Sequence, residues 1–125
     1  MKIIQSDSIP KPGGHYSPII EHNGTLYISG QLPFVPGTRE MPEGIKAQTK
    51  LVLDNIEILL KAAGSNKNQI IQMRLYIPDV KLWDDVNAVY SEFFGDHRPV
   101  RCVVPTRELH YGALIEIEAT AFVCI

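Results

Sequence analysis

Apolar and polar positions follow two rhythms along the chain, and each change of rhythm marks an element. A short strand is predicted over residues 2–5, followed by a loop rich in Pro and Gly over 9–14. Runs 17–22 and 25–29 flank Asn23-Gly24. That pair tolerates positive φ at both central positions of a type I′ turn, so the two runs read as a tight hairpin, with Gly30 ending its second strand. Pro33, Pro36, Gly37 and Pro42 make a long irregular loop. A helix is predicted over 43–63, because Ile45, Val52, Ile56, Leu59 and Ala63 fall on one 3.6-period face and Gly64 occupies the C′ position. Over 70–77 the period drops to two, Ile71, Met73, Leu75 and Ile77 alternating with Gln72, Arg74 and Tyr76 until Pro78 breaks the strand. Asp79 is the expected N-cap of a second helix with the stripe Leu82, Val86, Val89, Tyr90 and Phe93, stopped by Gly95. Two strands close the chain, over 100–104 and 113–123.

The order β-ββ-α-β-α-ββ implies a single α+β domain over residues 1–125: a two-layer sandwich of about six strands with two helices on one face. In the last strand Ile115, Ile117, Ala119, Ala121 and Val123 belong under the helices. Leu114, Glu116, Glu118, Thr120 and Phe122 lie on the other face. This second face is mixed, and two readings are open: a solvated face with a few stray apolar residues, or a subunit interface carrying functional polar groups.

Composition narrows the function classes. The formal net charge is −2, and Lys and Arg occur mostly singly, without a stripe able to neutralise several phosphates, so no nucleic-acid partner is expected. The first residues carry no apolar signal segment, and no apolar run approaches the ~20 residues of a membrane span. A soluble, cytoplasmic protein without membrane contact is the expectation. Cys102 and Cys124 are too few for a four-ligand zinc site; they read as reduced thiols rather than as a pair.

No Walker loop, dinucleotide-binding glycine pattern, His-Glu-x-x-His helix or nucleophile elbow is present, so neither cofactor nor metal is expected. His15, His22, His97 and His110 lack metal-ligand spacing. Two features remain. Arg101 interrupts the apolar run Pro99-Val100-Arg101-Cys102-Val103-Val104, and such an arginine needs an anionic partner, because a buried unpaired charge is costly. Ile115-Glu116-Ile117-Glu118 sets two carboxylates on one face of the last strand. An Arg101–Glu116 cross-strand ion pair is one outcome; a catalytic pair is the other.

The chain resembles the RidA (YjgF) family of enamine/imine deaminases over nearly its whole length. The resemblance rests on Gly14-His15-Tyr16-Ser17, Ser29-Gly30-Gln31-Leu32-Pro33, Gln48-Thr49, Leu53-Asp54-Asn55-Ile56, Ala63-Gly64, Val86-Asn87-Ala88-Val89-Tyr90, Phe93-Phe94, Pro99-Val100-Arg101 and Ile115-Glu116-Ile117-Glu118-Ala119, in order and at the family's spacing. It implies a chorismate-mutase-like fold whose subunits close into a trimeric barrel, with helices outside and active sites between subunits. It also implies hydrolysis, without a cofactor, of small carboxylates such as 2-aminoacrylate, 2-aminocrotonate and 2-iminobutyrate to 2-oxo acids and ammonia. The family's carboxylate-binding arginine falls on Arg101 and its water-positioning glutamate on Glu116, leaving Glu118 a supporting role. Pocket positions fall on Tyr16, Ser29, Gly30 and Asn87, with Tyr90 nearby.

The sequence departs from the family at His15, Pro18, Val100 and His110. Cys102 stands one residue closer to the arginine than the family's usual cysteine, and so receives no catalytic role. Competing readings are a regulatory trimer that binds a small carboxylate without turnover, an RNA-cleaving or translation-inhibiting protein, and, by fold analogy alone, a chorismate mutase.

Overall fold

The computed structural model describes residues 1–123. Within them the strands are β1 (Lys2–Ile3), β2 (Ile19–His22), β3 (Thr25–Gln31), β4 (Ile70–Ile77), β5 (Val100–Pro105) and β6 (Glu116–Phe122); the helices are α1 (Ile45–Ala62) and α2 (Trp83–Phe94). They form a mixed sheet in the order β1-β2-β3-β6-β4-β5. Only β4 and β5 run parallel; the other neighbours are antiparallel. β6, last in sequence, is thus central, and β5 is an edge.

The Asn23-Gly24 turn forms as expected, with φ of 51° and 81° at its two residues and His22 paired with Thr25. β2 begins at Ile19 rather than at residue 17, where Pro18 has no N–H to give a ladder. Val52, Leu53, Ile56 and Leu60 of α1 are fully buried against the alternate residues Ile117, Ala119 and Ala121 of β6 and Met73, Leu75 and Ile77 of β4. α1 starts at Ile45, two residues later than expected, because Gly44 has φ 89° and lies outside helical space. Asp79 does cap, accepting the Lys81 N–H at 2.9 Å, but it caps a 3-10 turn over Val80–Leu82, and α2 starts only at Trp83. Neither α1 nor α2 is long and apolar enough to cross a membrane.

Two bulges break the simple period. β3 does not end at Gly30 but runs to Gln31, and its register against β6 shifts between Ile28 and Gln31. A second shift lies between Ile70 and Gln72 of β4. Its extra residue turns Ile71 outward, where it is 45% exposed, and Ile70 takes the expected place in the core. Residues 113–115 belong to the approach rather than to β6, since pairing with β4 begins at Glu116 opposite Tyr76. Cys102 is an exposed free thiol on β5, and Cys124 lies outside the described residues.

Candidate functional site

The Arg101–Glu116 ion pair allowed by the sequence does not form. β4 lies between their strands, and the two side chains take opposite faces of the sheet. Arg101 stands opposite Met73, which is fully buried beneath the helices; Glu116 stands opposite Tyr76, on the face the helices leave open. Strand periodicity then sends Arg101 toward α2 and Glu116 away from it.

On the helix side, Trp83, Asn87 and Tyr90 share one face of α2 at helical spacing. The Arg101 guanidinium donates from Nη1 to Asn87 Oδ1 at 2.9 Å. Its carbon lies 4.7 Å from the Tyr90 ring centre and 5.7 Å from that of Trp83. Rings at these distances attract a cation and hold the guanidinium plane. Among the described residues no carboxylate pairs with it. The Tyr90 hydroxyl is buried without a hydrogen-bond partner. Burial pushes its pKa up to about 12, against the opposing pull of Arg101.

On the open side, Glu116 stands in a cleft of about 890 Å³ that Tyr16, Ser29, Gly30 and His110 also line. The carboxylate rests against the backbone of Gly30, where any Cβ would strike its oxygen. Ser29 uses its hydroxyl to donate to the Ser17 carbonyl at 2.7 Å, tying the Tyr16 loop to β3. The buried Gln48 accepts the Leu114 N–H at 2.8 Å and donates to the Pro42 carbonyl at 2.9 Å, which anchors the approach to Glu116. Burial raises the Glu116 pKa above the ordinary carboxylate value; His110 draws it down and Glu118 adds to the rise. His110 therefore reaches the cleft, whereas His15 is not among its lining residues. His97 is used structurally, its Nε2 lying 2.8 Å from the Ile70 carbonyl.

Glu118 is committed elsewhere. It accepts from Tyr76 Oη at 2.5 Å and Arg74 Nε at 2.9 Å, while Arg74 also donates to Thr120 Oγ1 at 3.3 Å. The Tyr76 hydrogen bond, and then Arg74, hold its pKa below the ordinary value, with burial opposing. The same hydrogen bond is the main reason Tyr76 is pushed up to about 12.

The predicted residues thus gather into two separate groups: Arg101, Asn87 and Tyr90 at the sheet edge, and Tyr16, Ser29, Gly30 and Glu116 in the cleft. Sequence reasoning missed Trp83 beside Arg101, and Arg39 and Tyr111 in the cleft wall. Trp83 precedes Asn87 by one helical turn and could have been found from that spacing. Arg39 and Tyr111 lie in irregular segments where no period applies.

Known proteins resemble this chain over nearly its whole length. A RutC family protein of Pyrococcus horikoshii is 41% identical over 122 residues, covering 97% of each chain. TdcF of Escherichia coli, named as a candidate reactive intermediate deaminase, is 33% identical over 123 residues, covering 96% of this chain and 95% of its own. The crystal structure of E. coli TdcF with bound serine superposes with a TM-score of 0.92 at 32% identity, over 99% of this chain and 100% of that one. RidA from an Antarctic Psychrobacter gives 0.92 at 33% identity, over 98% and 100%. Residues 6–123 match the family described as endoribonuclease L-PSP, and the chain belongs to that family, whose members are also called YjgF, RutC or RidA.

Proposed function

We propose that the protein hydrolyses short reactive enamine and imine acids to 2-oxo acids and ammonia, in a site that two copies of the chain build together within a homotrimer. The observation that carries this reading is the placement of Arg101 and Glu116 on opposite faces of one sheet. Each is equipped for ligand and neither can serve the other within a chain. The open sheet face supports assembly: Tyr27, Val100 and Phe122 are 52%, 61% and 40% exposed there, apolar surface that a second copy would bury. The name of TdcF and the serine in its crystal structure support a small amino or imino acid as ligand.

The chemistry follows from the groups. Asn87 occupies one edge of the Arg101 guanidinium and leaves the Nε–Nη2 edge for two parallel hydrogen bonds to a carboxylate. That fixes the substrate's C2. An enamine first takes a proton at C3 to become the imine. Glu116 orients a water and accepts its proton as oxygen bonds to C2. Glu116 passes that proton to nitrogen, which completes the carbinolamine; the C–N bond then breaks as the C2 hydroxyl becomes a carbonyl, and the hydroxyl proton leaves with nitrogen as ammonia. Imine and water are consumed; 2-oxo acid and ammonia are formed. Positioning supplies most of the acceleration, since C2 is already electrophilic.

The test is direct. 2-Aminoacrylate and 2-aminocrotonate are generated in situ by a serine/threonine dehydratase, and their ultraviolet decay is followed with the protein, with Arg101→Ala and with Glu116→Gln. Accelerated decay, lost in both variants, is expected. Unchanged decay with an assembled oligomer that still binds 2-oxobutyrate would replace the deaminase by a carboxylate sensor. RNA cleavage by nuclease-free protein that survives Glu116→Gln would require a different site.

A further inference from the structure

Three loops meet at the wall of the Glu116 cleft through Arg39. Its Nη1 donates to the Tyr111 hydroxyl at 2.7 Å, and its guanidinium carbon is 5.2 Å from the Tyr111 ring centre. Nη2 lies against Gly13, 3.6 Å from where a Cβ on that residue would stand. Phe34 meets the Tyr111 ring edge-on at 5.4 Å. Tyr111 itself has φ 60°, a left-handed conformation that a bulky residue keeps only where its surroundings impose it. Arg39 is thus an exposed cation steadied on one side by Tyr111. A guanidinium carries five N–H donors, only one of which is used on Tyr111, and no carboxylate among the described residues pairs with it. Arg39 lines the same cleft as Glu116 and Gly30.

We propose that Arg39 binds a second anionic group at the far end of the substrate, so that the site favours imines of amino dicarboxylic acids, and their 2-oxo diacid products, over monoacids. The inference rests on the reading above, in which Arg101 of a second copy takes the carboxylate next to C2 and Glu116 addresses C2. The distal carboxylate takes no part in bond making: water adds to the C=N bond and ammonia leaves as before. Unlike Arg101, whose neighbour Asn87 fixes one edge, Arg39 gives one N–H to the Tyr111 phenol, which leaves its other donors for a carboxylate.

The test separates this claim from the deaminase reading. Calorimetry on the assembled protein compares 2-oxoglutarate with 2-oxobutyrate, both stable, while imine hydrolysis is assayed in parallel. The wild type is expected to bind the diacid at least about tenfold more tightly. Arg39→Gln is expected to bring the diacid-to-monoacid ratio close to one, and Tyr111→Phe to lower it less. Equal wild-type affinities overturn the inference, as does an Arg39→Gln variant that weakens both ligands in proportion, for Arg39 would then be only a strut between loops. A diacid preference without hydrolysis keeps Arg39 in this role and removes the deaminase; hydrolysis without the preference does the reverse.

Discussion

The Glu116 carboxylate lies against the backbone of Gly30 so closely that a Cβ there would collide with its oxygen. The bulge in β3 between Ile28 and Gln31 brings that backbone beside the start of β6. Gly30→Ala should therefore displace the carboxylate while leaving the core alone. Because the displaced atom is the far end of a flexible side chain, the stability cost should stay within about 1 kcal/mol. Turnover of 2-iminobutyrate should fall about 10–100-fold, the scale of an ångström-sized misplacement. Thermal melting and kcat/KM together check this, and full activity in the variant would mean the carboxylate's place is immaterial.

Opposite faces for Arg101 and Glu116 make a prediction about mixtures. Arg101→Ala and Glu116→Gln should each be inactive alone. Refolded together, they should regain activity, because about one interface in four then combines an intact arginine half with an intact glutamate half. The regain is read as the rate of the mixture against each variant alone. No recovery, despite mixed oligomers shown by mass spectrometry, would place both residues in one chain's site.

Glu116 and Glu118 should shift the pH dependence in opposite senses. Burial raises the folded pKa of Glu116, so the native state holds more protons than the unfolded chain between the ordinary and the raised value. Stability then falls as pH rises through that window, and Glu116→Gln should remove this slope and melt no lower at neutral pH. The rate should rise with pH through the same raised value as the carboxylate ionises. Glu118 is held below its ordinary pKa, chiefly by Tyr76. Its stabilisation is present above the ordinary value and lost as pH falls through the depressed one. Tyr76→Phe should weaken it by about 0.5–1.5 kcal/mol, the scale of one hydrogen bond. Melting curves at a series of pH values, with and without each substitution, separate the two.

Tyr90→Phe should cost the protein little or nothing in melting temperature, since the hydroxyl it removes is buried without a partner. What Tyr90 offers the Arg101 guanidinium is its ring, centred 4.7 Å from the guanidinium carbon, and phenylalanine keeps that ring. Affinity for 2-oxobutyrate should therefore change by less than about twofold, whereas Tyr90→Leu, which removes the ring, should weaken it several-fold. The chain's only tryptophan, Trp83, lies 5.7 Å from the same guanidinium carbon, so its fluorescence can report the titration. A loss of about tenfold in Tyr90→Phe would mean that the hydroxyl leaves its buried place to meet the ligand.

Much of this architecture was legible in residue order. The Asn23-Gly24 hairpin, the apolar stripe of α1 and the two faces of β6 are local patterns, in which each side chain's environment follows from the period of its own element. The exceptions have local causes too. Ile71 reads as a core residue in strict alternation, yet a bulge gives its place to Ile70. The extent of β3 was missed because Gly30 reads as a stop, whereas it is the residue that lets Glu116 approach.

What the sequence determined by itself was the element order, the core faces and the presence of one arginine and one glutamate in unusual settings, all consequences of spacing along the chain. What only the tertiary structure decided was their relation. Spacing does not say that β4 enters between β5 and β6, and that insertion, with the pleat, puts Arg101 under α2 and Glu116 in the open cleft. Nor could it bring Arg39 to Tyr111, 72 positions away, since loops without a period meet only where the folded sheet sets their ends.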